Sequence, residues 1–315
     1  MHPAYSVIFF TVLSGAGLGL LFLLSVMILA GHVPGTDLFG ASTALIALAL
    51  IGAGALSSGF HLGRPERAWR AFSQWRSSWL SREGVLMAAV MPFGLALAAG
   101  WFGEDRAAPW WRVVAGILVV LCPLTVWVTA MIYASLKPVP RWHNAWTPVA
   151  HLLFALMSGA AIAYACLRGF GYVAPPGGYA TLVFAVVAVA VKLGYWRHID
   201  RAHPAATAET ATGLGAIGKV RPLDPPHTEE NYLLKEMGFR IARKHAGKLR
   251  RIALIYGFAL PAAFVALALA ASGWIAALAA ILAAVTMLGG LLVERWLFFA
   301  EARHTVMLYY GTDAV

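Results

Sequence analysis

Polar positions along the chain are gathered into short bands, and the intervals between them are almost wholly apolar. Eight intervals are long enough to cross a bilayer as helices, which takes about 20 apolar residues each. They are 6–30, 38–60, 84–102, 113–135, 147–167, 178–195, 252–271 and 273–293. The last two meet at Ser272-Gly273, so a tight turn is expected there. The pattern predicts an all-α polytopic membrane protein: one integral-membrane domain over 1–315 with eight transmembrane helices, arranged as two four-helix bundles. A long basic connection, about 196–251, separates spans six and seven. The first 31 residues lack a basic leader region and carry too long an apolar run for a signal peptide, so they read as a retained first span.

Composition supports the membrane assignment. Sixty per cent of the 315 residues are hydrophobic and 12 % are charged, with a mean hydropathy of +0.73. Soluble domains carry about twice that charged fraction, and a soluble core could not hide so much apolar surface. A cytosolic domain, a secreted enzyme and a disordered chain are excluded. The two cysteines, Cys122 and Cys166, are too few for an iron–sulfur cluster, a four-cysteine zinc site or a disulfide framework. They read as small core residues.

The net charge of +10 is explained by topology rather than by nucleic acid. Eight spans put both termini on one side. That side carries 21 of the 24 Lys and Arg, and only Arg106, Arg112 and Arg168 fall on the other. The positive-inside rule then places both termini and the basic connection in the cytoplasm, as in a bacterial inner membrane. No Asp, Glu, Lys or Arg lies near the middle of a span, which disfavours a proton-coupled transporter or pump. His151 and Lys192 lie towards span ends on the basic side, where snorkelling is easy.

Three loop features carry candidate chemistry. The segment after span two, HLGRPERAWRAFSQWRSSWLSREG, is dense in Arg and Trp, and Trp69, Trp75 and Trp79 fit an interfacial belt. In the long connection, Gly213, Gly215 and Gly218 match a dinucleotide fingerprint, but no strand is predicted before them, so that reading is rejected. Further on, Leu233, Leu234, Met237, Ile241 and Leu249 approximate the apolar stripe of a basic helix that could lie on the membrane or dock a partner. A haem would want facing histidines, and only His151 lies clearly within a span, with His61 at a span end.

One pair stands out. His61 ends span two and Glu83 begins span three, so both emerge at the same face. An imidazole and a carboxylate beside an apolar pocket can bind a carbonyl and exchange protons with it, as a quinone headgroup requires. Arg64 and Arg67 add positive charge. The competing reading is that His61 and Glu83 only complement the dipoles of their helix ends.

At these residues the sequence resembles the DmsC-like membrane anchors of complex iron–sulfur molybdoenzymes. Three stretches carry the resemblance: His61 to Ala68 (HLGRPERA) with Glu83 downstream; Tyr133 to Pro148 (YASLKPVPRWHNAWTP); and Glu294 to Phe299 (ERWLFF). The eight-span layout extends it to nearly the whole chain. The resemblance implies an anchor without a metal of its own. It implies two soluble partners, a ferredoxin-like subunit with four iron–sulfur clusters and a molybdopterin catalytic subunit. It also implies quinone binding through His61, Arg67 and Glu83, with Gly63 and Arg64 in the same stretch. The long connection is similar to that of anchors in sulfite dehydrogenases of the SoeABC type. The expected activity is therefore a cytoplasm-facing transfer of electrons from sulfite to a quinone, ubiquinone before menaquinone. The alternative is a DMSO or other S- or N-oxide reductase anchor that oxidises menaquinol, and a more distant one an organic-anion transporter. Arg76, Arg82, Lys235, Arg240, Arg243 and Lys244 are the expected docking residues for the iron–sulfur subunit, although such a basic surface could equally meet anionic lipid.

Overall fold

A computed structural model of the chain describes residues 4–32, 37–60, 64–102, 109–224, 226–227, 229, 231–237 and 245–315. Among them, eight helices are long and apolar enough to cross a membrane. These are α1 (Tyr5–Leu29), α2 (Asp37–Gly59), α3 (Trp79–Gly100), α4 (Pro109–Ala134), α5 (Trp146–Gly169), α6 (Pro175–Arg201), α7 (Ala246–Ala270) and α8 (Gly273–Ala300). A π-turn at Ile255–Ala259 interrupts α7. Local chemistry sets several of the starts. Ser78 caps α3 by accepting a hydrogen bond from Ser81 N, and prolines open α4 and α6, where a missing N–H costs nothing.

The helices differ from the hydropathy spans mainly at the basic face. There α3 starts, α6 ends, α7 starts and α8 ends one to two turns beyond the predicted limits. The apolar count stops at the first charge, but these charges continue the helix because other helices supply their partners. The predicted insertion 196–251 accordingly shrinks to 202–245. Its described part holds the short helices Ala208–Thr212 and Tyr232–Met237. Residues 238–244, the middle of the expected basic helix, lie outside the described residues.

Helices α1 to α4 pack as a four-membered ring, with α1 on α2, α2 on α3, α3 on α4 and α4 on α1. Helices α5 to α8 close a second ring in the same way. The rings meet along a seam where α1 packs on α5, flanked by contacts of α4 with α5 and of α1 with α8. The seam is a backbone-to-backbone crossing. A Cβ at Gly19 would sit 1.9 Å from the Ala155 carbonyl oxygen, and one at Gly159 would sit 2.3 Å from the Gly19 carbonyl carbon. Small residues spaced by four (Gly15 and Gly19 on α1, Ala155 and Gly159 on α5) make this approach possible, as in membrane helix pairs that associate by close packing.

On the basic face the C-terminal segment folds under the long connection. Ala205 and Ala206 donate to the Val315 carbonyl, and Asn231 donates to the Tyr310 hydroxyl. Thr305 N donates to Pro138 O, tying the same segment to the turn between α4 and α5.

Gly159→Ala is expected to lower stability by about 1–3 kcal/mol through overpacking of the seam. At Gly116 a Cβ meets nothing within 4 Å, so Gly116→Ala is expected to be neutral or stabilising by about 0.4–1 kcal/mol. Thermal unfolding of the two detergent-solubilised variants compares them directly.

Candidate functional site

Glu83 stands on the second turn of α3 and is only 5 % exposed. Its carboxylate Oε1 accepts a 2.5 Å hydrogen bond from the Thr129 hydroxyl on α4. The turn that delivers it is built by the Arg- and Trp-rich segment. After the 3-10 helix Pro65–Phe72, Arg82 folds back, donating to the carbonyls of Trp75 (3.0 Å) and Arg76 (2.7 Å). Its guanidinium also lies 4.2 Å from the centre of the Trp79 ring, and Trp79 meets Trp127 edge to face.

Across the seam, a second group of ionisable side chains is buried at the basic end of α5, α6 and α8. The Lys192 ammonium on α6 pairs with Glu294 Oε1 on α8, and both side chains are shut off from solvent. Glu294 Oε2 accepts from Arg295 Nε at 2.5 Å. Arg295 Nη1 reaches His151 Nε2 on α5 at 2.8 Å. His151 Nδ1 lies 2.7 Å from the Thr147 carbonyl. A carbonyl can only accept, so the imidazole donates from Nδ1 and accepts from Arg295 at Nε2.

An aromatic collar excludes lipid from this cluster. Tyr133 stacks on His151, Trp142 stacks on Phe298, and Lys192 Nζ lies 4.1 Å from the centre of the Tyr195 ring. Trp142 fixes the collar by donating from its indole to the Phe298 carbonyl at 2.8 Å. In the turn above, Arg141 Nη1 donates to the Glu301 carbonyl at 2.9 Å.

The two groups meet at a cavity of about 30 Å³ between α1, α4, α5 and α8. Its polar lining is Thr11, Ser14, Thr129, His151, Ser158 and Arg295. It is large enough for water and far too small for a redox ring. Thr129 both borders the cavity and holds Glu83, so the seam joins the two groups.

Towards solvent the cluster continues through Glu301, which follows α8 and is 3 % exposed. Arg250 Nε donates to Glu301 Oε1 at 2.9 Å, while its two terminal nitrogens grip Asp200 at 2.5 and 2.9 Å. Burial pushes the Glu301 carboxyl above its ordinary range, against the pull of Arg250 and Lys192.

The candidate residues from the sequence fall into four groups. Glu83 is buried and engaged by Thr129. Arg64 and Arg67 are exposed, and Arg67 lies 3.9 Å from Glu66 in a surface ion pair of little energetic weight. Of the docking candidates, Arg76 is exposed with its guanidinium over the Trp75 ring and Lys235 is exposed, whereas Arg82 is consumed in capping the turn. His61, Gly63, Arg240, Arg243 and Lys244 lie outside the described residues.

Sequence reasoning misses the Lys192–Glu294–Arg295–His151 cluster. Hydropathy hides it, because the helices carrying Lys192, Glu294 and Arg295 run one to two turns past the apolar intervals; the ERWLFF stretch is the sequence signal that points to Glu294 and Arg295. The three stretches that carry the family resemblance supply Glu83, Tyr133 with Trp142, and Glu294 to Phe299, so all three converge on this one region.

Comparison with known proteins gives a consistent result. The family described as DMSO reductase anchor subunit (DmsC) matches residues 1–311. A sulfite dehydrogenase subunit from Allochromatium vinosum is 35 % identical over a 333-residue alignment covering 100 % of both proteins. An anaerobic dimethyl sulfoxide reductase component from Escherichia coli is 32 % identical over 121 residues, 38 % of this protein and 41 % of that one. Its counterpart from Haemophilus influenzae is 26 % identical over 199 residues, 61 % of this protein and 70 % of that one.

Removing one partner of the buried cluster leaves uncompensated charge. Glu294→Gln strands Lys192 and Arg295 together and is expected to cost about 3–5 kcal/mol. Lys192→Gln leaves the Glu294–Arg295 pair intact and is expected to cost clearly less. Thermal unfolding of the two variants checks the order; the reverse order would remove Glu294 as the central counter-charge.

Proposed function

The chain belongs to the DMSO reductase anchor subunit (DmsC) family, and from that premise we propose that it seats the soluble subunits of a molybdoenzyme complex on its basic face and binds, beside Glu83, the quinone that exchanges electrons with them and protons with Glu83. The observation that carries this reading is the buried Glu83 carboxylate, held by Thr129 at the basic end of α3 directly behind the Arg- and Trp-rich segment. A carboxyl there can donate to a quinone oxygen or, ionised, accept from a quinol hydroxyl. Exposed Arg64 and Arg67 supply positive charge on the approach, and His61, with Gly63 in the same stretch, completes the set of His61, Arg67 and Glu83 implied by the family. The donor set fits a redox-active carbonyl ring, whose chemistry is two-electron reduction with uptake of two protons.

The proposed electron source is sulfite, oxidised at a molybdopterin subunit and passed through a four-cluster iron–sulfur subunit to ubiquinone in a bacterial inner membrane. Likeness to a sulfite dehydrogenase subunit along the entire length of both proteins supports this. The partial likeness to dimethyl sulfoxide reductase components favours a second reading, in which menaquinol is oxidised for an S- or N-oxide reductase. The charge asymmetry supports a cytoplasmic docking face.

For docking, the basic connection and the C-terminal segment enclose a groove of about 940 Å³ lined by residues including Pro138, Val220, Leu223, Val306 and Tyr309. Ile217 on the same connection and Leu223 in the lining are 86 % and 97 % exposed. Apolar side chains this exposed on a basic surface suit a partner that buries them. Arg76 and Lys235, with Arg240, Arg243 and Lys244, would steer an acidic iron–sulfur subunit to it.

Glu83→Gln in the intact complex is expected to slow sulfite-driven ubiquinone reduction by about a hundredfold, while reduction of a soluble artificial acceptor is unchanged. Equal loss of both activities, or no loss of either, would contradict the assignment of Glu83. Turnover with menaquinol and an S-oxide, and none with sulfite, would select the second reading.

A further inference from the structure

We propose that the chain contains a proton conduit from its basic face to Glu83, running through Asp200, Glu301, the Lys192–Glu294 pair, the water-sized cavity beside His151 and Arg295, and Thr129. The proposal rests on the reading of Glu83 as the group that serves the quinone, and assigns the source of its protons.

The entrance is Asp200, whose side chain is 47 % exposed and gripped by Arg250. Arg250 also holds Glu301, whose second oxygen, Oε2, is buried without a hydrogen-bond partner among the described residues. That lone pair is free to take a proton or a water. Burial holds the Glu301 carboxyl above the usual range, which suits a group that must both take and release a proton.

From Glu301 the route follows helix geometry. Glu294 lies two turns back along α8, and Lys192, Trp196 and Asp200 recur every four residues as one stripe of α6. The two stripes face each other through the Lys192–Glu294 pair, inside the aromatic collar.

Arg295, which bonds Glu294, borders the cavity together with His151, and the cavity continues the line to Thr129. The Ser14 and Ser158 hydroxyls each donate to a carbonyl of their own helix at 2.6 Å, which leaves their lone pairs for water protons. Thr129 donates to Glu83 and presents its own lone pairs to the same space. A polar cavity with this many partners holds water. Arginine does not give up its proton. Arg295 and Arg250 therefore fix the charges and orient the water, and the carboxyls, ammonium, hydroxyls and water carry the protons.

Packing alone gives no reason for the cluster, because well-packed apolar residues of similar volume often stabilise as well as a buried ion pair does. Ionisable groups buried at membrane depth are functional by default. Each transfer makes one O–H or N–H bond and breaks another, and no group of the chain is oxidised. Reduction of one quinone draws two protons by this route and two electrons from the iron–sulfur partner. Oxidation of a quinol runs the same route outward.

The test uses the intact complex without turnover. The infrared carboxyl band of Glu83, identified by its loss in Glu83→Gln, is followed after a jump into D2O at acidic pH. The isosteric Thr129→Val and the distant Glu301→Gln are expected to slow its deuteration by about a hundredfold, and Thr129→Ser to leave it near the wild-type rate. In turnover, the two slow variants should lower kcat with KM for quinone unchanged, and formate or azide should restore the rate by carrying protons. Wild-type deuteration in both Thr129→Val and Glu301→Gln would overturn the conduit. If Glu83→Gln still blocked quinone reduction in that case, Glu83 would keep its role and take protons elsewhere. Full quinone reduction by Glu83→Gln would overturn the underlying reading and the conduit with it. If one of the two slow variants does not assemble, the other decides the matter.

Discussion

The architecture depends on one close contact, the crossing of α1 and α5 at Gly19 and Gly159. Each four-helix ring satisfies its own backbone, as a membrane requires, but neither ring alone contains the candidate site. Glu83 and Thr129 belong to the first ring; His151, Lys192, Glu294 and Arg295 belong to the second. The polar cavity exists because the backbones touch at the seam and the side chains beside the crossing are small. A second crossing of this kind, at Gly257 and Gly290, brings α7 against α8 where the π-turn interrupts α7. It keeps Arg250 within reach of Glu301 at the basic end.

Electrostatics explains why the charged cluster can exist in so apolar a chain. Glu294 stands between two cations and bonds to both, so no charge in the cluster lacks an opposite neighbour. Arg295 is shared further with His151 and lies over the Phe154 and Phe298 rings at 5.1 and 4.7 Å. Arg250 plays a similar part nearer the surface, bonding Glu301 and Asp200 together. On the opposite face, Arg168 solves the same problem with carbonyls, donating to Ala271 and Tyr172. Lipid would make the buried groups costly, so each of them is enclosed by protein and given its partner there.

Much of this is legible in the sequence. Eight apolar intervals become eight helices, and the family resemblance carried by HLGRPERA, the Tyr133–Pro148 stretch and ERWLFF agrees with the comparisons. The helix ends are not legible, because hydropathy stops at the first charge and cannot see a partner on another helix. Hydropathy therefore puts Glu294 and Arg295 at the polar edge of a span. It makes Lys192 a snorkelling side chain, whereas its ammonium turns inward to Glu294. The helix centres are bare of charge, as expected, but that observation hides a charged layer one or two turns from the basic face. Glu83 is legible as a residue at a helix start; its partner Thr129 is not, since nothing in the spacing of the two residues pairs them.

The central claim is that the basic face is a seat for soluble redox subunits. The most direct measurement is purification of the protein from its native membranes in mild detergent, with mass spectrometry of the polypeptides that accompany it. The account predicts a molybdopterin catalytic subunit and a four-cluster iron–sulfur subunit in stoichiometric amounts. A folded protein that emerges alone from well-preserved membranes would contradict it.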